Sequence, residues 1–145
     1  MTDLLRRAIP LACPPDHAFR VFVDRVELWW PRGHRHFRDG ALRFDGDRLI
    51  DRAPDGTEWT MASVIERAEP SRLRLAWFPG SPNAPTDVEI AFAPEGAGTL
   101  VTIVHRPLAP AAAEVWAARV ATFRAGWEAV AMALAEFIAA ERGTF

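Results

Sequence analysis

The stretch WAARVATFRAGWEAVAMALAEF, residues 116–137, decides the fold of this chain. Its large apolar residues recur at alternating steps of four and three positions, which is the spacing of one face of an α-helix and not of a strand. These residues are Trp116, Val120, Phe123, Trp127, Val130, Leu134 and Phe137. The spacing predicts one long helix from about residue 109 to residue 141. Because its apolar face must be buried, we expect it to lie on an apolar sheet.

The chain before this helix is predicted to form short strands separated by turns. An opening strand is predicted over residues 5–11, and Pro14-Pro15-Asp16 then begins a short helix that ends near Asp24. A further helical turn or two ends at Pro31, because proline disrupts a helix. From residue 41 to residue 105, turns rich in Gly, Pro and Asp separate about six strands with alternating apolar residues. Consecutive strands followed by a segregated helix indicate an α+β fold with an antiparallel sheet.

Composition limits the classes of protein to which the chain can belong. A chain of 145 residues is expected to form one domain, residues 1–145, and to bury roughly 70% of its unfolded surface without disulfides. The single Cys13 cannot form an intramolecular disulfide. The N-terminus does not resemble a signal peptide and no apolar run is long enough for a membrane span, so we expect a soluble, cytoplasmic protein. With 17 basic and 19 acidic residues, the charge is too balanced for a nucleic-acid-binding surface.

A series of local motifs adds to this interpretation. In chain order they are Trp29-Trp30-Pro31-Arg32-Gly33-His34, Asp55-Gly56-Thr57-Glu58-Trp59, Pro70-Ser71-Arg72-Leu73, Thr86-Asp87-Val88-Glu89-Ile90, Gly98-Thr99-Leu100-Val101-Thr102-Ile103 and Gly126-Trp127. Their order and spacing resemble the SRPBCC superfamily, which includes START-like proteins and polyketide cyclases. Within it the chain is similar to the branch named for homologues of the activator of heat-shock-protein ATPase. The resemblance covers nearly the whole chain.

The resemblance implies a helix-grip fold of the START and Bet v type. Such a fold has a curved antiparallel sheet of about six or seven strands wrapped around a long C-terminal helix, with two short helices after the first strand. It also implies that the sheet and the helix enclose a cavity. No catalytic residue set is shared across this branch of the superfamily.

The aromatic residues are the main candidates for a ligand-binding site in that cavity. The chain has six Trp and nine Phe but no Tyr, so its aromatic surface carries few polar groups. An apolar cavity with a few polar groups is the usual form of a small-molecule site, although any one of these residues could equally fill the core. The candidate ligand-binding residues are Trp29, Trp30, Phe37, Phe44, Trp59, Trp77, His105, Trp116, Phe123 and Trp127.

Two further sets of polar residues are candidates for metal binding and for acid–base catalysis. His34 and His36 could bind zinc, but a zinc site needs more ligands, and the neighbouring arginines oppose a cation. We therefore predict no metal and no cofactor, and interpret the segment as a solvated loop at the mouth of the cavity. A positive loop there would suit an anionic headgroup or a carboxylate. Glu58 and His105 could act as an acid and a base if they shared the cavity.

Three hypotheses about function follow. The first is that the cavity binds an apolar or amphipathic small molecule. The second is that an enzyme of cyclase or hydrolase type acts in the same cavity, although the sequence contains no nucleophile motif. The third, suggested by the name of the branch, is a co-regulator that interacts with a chaperone. A homodimer is also possible, because exposed sheet edges can pair.

Overall fold

The computed structural model describes residues 4–78, 85–107 and 113–142. The predicted α+β class, with two short helices after the first strand and a long C-terminal helix, is confirmed. Residues 109–112, which we assigned to the last helix, lie outside the described part of the chain. In chain order the elements are β1 (Leu5–Leu11), α1 (Pro15–Asp24), α2 (Val26–Trp29), a 3₁₀ turn (Arg32–His34), β2 (Ala41–Asp45), β3 (Arg48–Arg52), β4 (Glu58–Ala68), β5 (Arg72–Trp77), β6 (Thr86–Glu95), β7 (Gly98–Pro107) and α3 (Ala113–Arg142).

The seven strands form one antiparallel sheet in the order β1-β7-β6-β5-β4-β3-β2. The first strand therefore pairs with the last, and β2 forms the opposite edge. The turn between β2 and β3 contains Gly46 at a φ of 60°, a left-handed conformation that glycine adopts without steric strain. The register shifts between Leu49 and Ile50 and again between Val64 and Glu66. Such bulges bend a sheet, and the first of them leaves Met61 on β4 as the extra residue, which lines the pocket described below.

Strand alternation places the core on the concave side of the sheet. Arg72 and Arg74 on β5 point away from the core, whereas the residues between and after them are buried. The helices α1 and α3 contact this sheet, with α3 lying chiefly over β1 and β7. The fully buried apolar residues of β5, β6 and β7 include Leu73, Leu75, Val88, Ile90, Phe92, Val101 and Ile103.

Four of the seven residues in the predicted stripe of α3 are buried, whereas Val120, Phe123 and Phe137 are half-buried. Trp116, Trp127, Val130 and Leu134 are buried as expected, but Ile138 is fully buried where Phe137 was predicted. Phe137 is half-buried and packs against the edge of the core. A stripe repeating every 3.5 residues drifts around a straight helix of 3.6 residues per turn, by about 20° per heptad, so the buried position moves along by one residue. Within the described ranges, no helix combines the length and the apolar character needed to cross a membrane.

Candidate functional site

A pocket of about 280 Å³ opens between α3 and the strands β4 and β5. Trp59 and Trp77 come from these strands, Phe123 and Trp127 come from α3, and Trp30 directly follows α2. The structure thus brings together five of the ten candidate residues around one space. Small-molecule sites are typically clefts of about 300–1,000 Å³, so a pocket of this size suits a compact ligand.

Three indole rings form the inner wall of the pocket. The ring of Trp30 stacks on that of Trp77, with centroids 6.0 Å apart and planes at 22°. The ring of Trp127 meets both, at 5.9 Å from Trp30 and 5.2 Å from Trp77. The indole nitrogen of Trp30 donates to the carbonyl of His34 over 3.2 Å, so this ring is also tied to the 3₁₀ turn. Aromatic contacts of this kind fix the orientations of the three indole rings. A ligand would therefore meet ring faces and ring edges in a fixed arrangement.

A chain of hydrogen bonds behind this wall connects α3 to the sheet. Trp127 Nε1 donates to His105 Nδ1 over 2.8 Å, and His105 Nε2 lies 2.7 Å from Thr86 Oγ1. An indole nitrogen can only donate, so His105 Nδ1 is the acceptor and the imidazole proton resides on Nε2. His105 therefore donates to Thr86 Oγ1, whose hydroxyl donates in turn to the carbonyl of Trp77 over 3.4 Å. One imidazole thus links the indole of Trp127 to the backbone of β5 at Trp77.

Burial keeps the imidazole of His105 neutral. The side chain has no exposed surface, and its burial lowers the pKa of His105 from 6.5 to about 3, against a smaller opposing effect of the Asp87 carboxylate. A protonated ring would place an N–H opposite the N–H of Trp127, which would break the hydrogen bond between α3 and β7. His105 is therefore a positioning residue for Trp127, and it does not line the pocket.

The segment between the 3₁₀ turn and β2 is held by Arg35, whose side chain is only 2% exposed. Its guanidinium donates to a Glu27 carboxylate oxygen over 2.7 Å and to the Glu27 carbonyl over 2.8 Å. It also donates to the carbonyls of Trp30 and Gly40, both over 2.9 Å. The planar guanidinium can satisfy several acceptors at once, which a lysine ammonium cannot do in the same geometry. Our prediction of a solvated loop is therefore wrong at Arg35.

A second anchor holds the end of this segment against β3. The backbone N–H of Phe37 donates to a carboxylate oxygen of Asp51 over 2.8 Å, and Asp51 is fully buried. A Cβ atom at Gly40 would overlap the other carboxylate oxygen of Asp51, so the chain passes there only as glycine. The two anchors fix the backbone on either side of His36.

The mouth of the pocket is lined by polar side chains from this segment and from α3. The imidazole of His36 stacks on Trp59 at 4.4 Å with planes at 13°. His34 lies close to α3, since a Cβ atom at Gly126 would be 3.5 Å from its Nδ1 atom. Arg119 of α3 also lines the mouth. None of the described lining residues is acidic.

The other five candidate residues lie outside this pocket. Trp29 belongs to the core, where its indole nitrogen donates to the Val21 carbonyl over 3.0 Å. Phe44 packs 6.5 Å from the ring of Phe22 on the other side of the core. Phe37 contacts His36 edge-on. The remaining two contact each other behind the pocket, with ring centroids 5.1 Å apart: His105 and Trp116.

Glu58 and His105, which the sequence suggested as an acid and a base, do not line the pocket. Glu58 is exposed at the start of β4, and the partners of the buried His105 are Thr86 and Trp127. Both histidines of the His-x-His motif lie at the pocket mouth. Across the described residues there is no group of three or more His, Cys, Asp or Glu side chains that could hold a metal ion.

Sequence reasoning missed the helical residues that complete the pocket. Arg119, Gly126 and Val130 line it together with the predicted Phe123, at steps of four, three and four positions. Phe123 and Val130 belong to the apolar stripe, whereas Arg119 and Gly126 lie beside it and carry no hydrophobic signal that the spacing rule could detect. Met61 and Phe78 also line the pocket.

Comparison with known proteins identifies the kind of domain. A family model described as activator of Hsp90 ATPase homolog 1-like protein matches residues 12–139, which is most of the chain. The superfamily resemblance inferred from the sequence is thereby confirmed. A comparison with curated proteins gives no match.

Solved structures show the same fold at low sequence identity. Protein NE0264 from Nitrosomonas europaea superposes with a TM-score of 0.67 at 18% identity, over 97% of this chain and 96% of its own. CalU16 from Micromonospora echinospora has a TM-score of 0.62 at 18% identity, over 99% and 88% of the two chains. Aha1 from Colwellia psychrerythraea, described as a dimer in solution, has a TM-score of 0.67 at 12% identity, over 94% and 96%. The helix-grip fold is therefore confirmed.

Proposed function

The chain belongs to the activator of Hsp90 ATPase homolog 1-like family, and we propose that it binds a compact apolar or amphipathic small molecule. The site is the pocket between α3 and strands β4 and β5. The observation that carries the proposal is the convergence of six Trp and Phe side chains on a space of about 280 Å³. A largely aromatic wall with a few polar groups at its mouth is typical of small-molecule sites.

The organisation of the walls supports this proposal. Trp127 is held by His105, and Trp30 by the His34 carbonyl, so neither indole needs to reorient when a ligand enters. Arg35 holds the segment that carries the mouth residues. A preformed site binds more tightly because less conformational entropy is lost on association.

The first test is to look for a small molecule in the purified protein. Native and denaturing mass spectrometry of the same sample would reveal a bound compound and its class. A protein that is purified empty would be screened by thermal unfolding against one-ring and two-ring compounds. A ligand at about 100 times its Kd should stabilise the folded state by about 2.7 kcal/mol. The absence of a stabilising compound in the whole library would contradict the proposal.

A pair of leucine substitutions on α3 tests whether binding takes place in this pocket. Gly126→Leu places a side chain in the pocket, because Gly126 is part of its wall, and should weaken ligand binding at least tenfold. Ala125→Leu is the matched control, since Ala125 is exposed on the same helix outside the pocket. Circular dichroism would establish that both variants fold. A Gly126→Leu protein with unchanged ligand affinity would exclude this pocket as the site.

An enzyme of cyclase or hydrolase type is the alternative that uses the same pocket. Both ring nitrogens of His105 are engaged, so the imidazoles at the mouth, His34 and His36, are the groups that such an enzyme would use. Mass spectrometry of the bound compound after prolonged incubation separates the two functions. A converted ligand would favour catalysis, and an unchanged ligand would favour binding.

The family description and the Colwellia protein motivate two further proposals, a chaperone partner and a homodimer. Large apolar side chains are exposed at Leu28, Ile65 and Met132, which lie on α2, β4 and α3 respectively. The edge strands β1 and β2 could each pair with a second copy of the chain. Sedimentation of the pure protein tests the dimer, and a pulldown with a purified Hsp90-type chaperone tests the partner.

A further inference from the structure

The pocket is lined by hydrogen-bond donors and by two arginines, of which only Arg35 is paired with a carboxylate, that of Glu27. The polar side chains that line the pocket are Arg119, His34, His36, Arg35 and Thr122. No Asp or Glu is found among the described lining residues. An apolar pocket whose entrance has one sign of charge selects ligands of the opposite sign.

Arg119 supplies a guanidinium that is not engaged elsewhere in the described structure. The described residues offer it no ion pair and no hydrogen bond. The residues three and four positions away on α3 include no acid, so the helix itself provides no partner. Arg35 differs, because its guanidinium is already bound to Glu27, Trp30 and Gly40. Arg119 is therefore the permanent charge available to a ligand.

The two histidines provide donors on the opposite side of the mouth. His36 lies flat on Trp59, and its ring nitrogens have no hydrogen-bond partner within the described ranges. His34 reaches the helix near Gly126, which brings this segment close to α3. An imidazole presents at least one N–H donor in either tautomer.

We propose that the ligand carries a carboxylate, bound at the mouth by Arg119 and by an imidazole N–H of His36. Its apolar part is one ring or two fused rings, which lie among Trp59, Trp77 and Phe123. The inference rests on the proposed function of the pocket. Among amphipathic molecules, the inference thus specifies aromatic carboxylates as the preferred ligands.

Matched pairs of an acid and its neutral amide test this inference. The probes are benzoate and benzamide, 2-naphthoate and 2-naphthamide, and indole-3-acetate and indole-3-acetamide, with binding measured by calorimetry. Each pair has the same rings, so a difference in Kd reports the charge. We expect the best-fitting acid to bind about three- to tenfold more tightly than its amide, as for a charge-assisted contact at a solvent-exposed site. At about 1 M salt, where the screening length is about 3 Å, the preference should largely disappear.

Substitutions then assign the preference to the mouth. Arg119→Gln should remove the preference for the acid while changing the Kd of the amide less than about twofold, because only the charge is lost. His36→Phe should retain the ring stacked on Trp59 and reduce the preference in part. Arg124→Gln is the matched control, since Arg124 is exposed on the same helix away from this pocket.

The outcomes distinguish this inference from the function on which it rests. Equal affinities for acid and amide, with binding retained, would overturn the carboxylate and leave the pocket function standing. A preference that survives Arg119→Gln would likewise overturn the assignment. Failure of all six probes to bind would count against the pocket function and, with it, against this inference.

Discussion

Arg35 is the residue on which the shape of the pocket mouth most depends. It lies in a polar segment, Arg32 to Gly40, whose composition is that of a solvated loop. Its side chain is nevertheless almost fully buried, because it gathers the carbonyls of Trp30 and Gly40 and both the carboxylate and the carbonyl of Glu27. Sequence alone cannot reveal this role, since the acceptors are mostly backbone carbonyls that every residue has.

Arg35→Lys should lower the free energy of unfolding by about 2–4 kcal/mol, because a lysine leaves several buried carbonyls without a donor. Arg38→Lys makes the same change at an exposed position of the same segment and should alter stability by less than about 0.5 kcal/mol. Urea denaturation of the two variants provides the measurement. Equal stability of both would mean that Arg35 does not anchor the segment.

Trp29 and Trp30 show why the sequence could not predict which aromatic residues line the pocket. Trp29 and Trp30 are neighbours with the same side chain and are both buried in the core, yet only Trp30 also lines the pocket. Aromatic composition identified both as candidates, but which one reaches the pocket depends on the point at which α2 ends. Trp30 has an extended backbone directly after the helix, and this turns its side chain in a different direction.

At the scale of the element, α3 contributes two faces with different roles. One face is buried against the sheet, and the adjacent face lines the pocket, where Arg119 and Gly126 lie beside Phe123 at the border of the apolar stripe. The periodic stripe made the first face predictable. The second face is mixed in chemistry, so its periodicity is not visible as hydrophobicity.

Gly126 gives α3 a position at which the conformational preference of glycine can be measured separately from packing. A methyl group there would lie 3.5 Å from His34 Nδ1, an ordinary van der Waals contact. Gly126→Ala should therefore stabilise the protein by about 0.5–1 kcal/mol, since alanine loses less backbone entropy in a helix. Ala125→Gly, at the exposed neighbouring position, should destabilise by a similar amount. If Gly126→Ala were destabilising in a thermal or urea melt, His34 would have to lie closer to the helix than described.

At the scale of the molecule, the order and type of the elements were predictable from the sequence. Turns at Asp45-Gly46-Asp47 and at Gly96 separate strands with clear alternation, and the apolar stripe of α3 extends for most of its 30 residues. Each of these signals is local. The pocket arises from contacts between elements far apart in sequence, and only the superfamily resemblance pointed to a cavity at that place.

One such contact joins the long helix to three strands. Trp127 on α3, His105 on β7 and Thr86 on β6 are linked in series, and the last bond ends at the Trp77 carbonyl on β5. The neutral imidazole is the central member, because it accepts from the helix and donates to the sheet. The attachment of α3 at this point thus depends on the protonation state of one residue.

This dependence predicts that the protein loses stability as the pH falls below about 6.5. The pKa of His105 is about 3 when folded against 6.5 for the free side chain, so between these values the unfolded chain binds more protons and the free energy of unfolding rises with pH. The loss due to His105 between about pH 8 and pH 5 should be about 2 kcal/mol, at 1.36 kcal/mol per pKa unit. His105→Asn keeps an oxygen acceptor for Trp127 but does not titrate, so this part of the pH dependence should be absent from the variant. The other three histidines are common to both proteins and cancel in the comparison. If urea denaturation gave the same pH dependence with and without His105, the neutral imidazole would not be what couples α3 to the sheet.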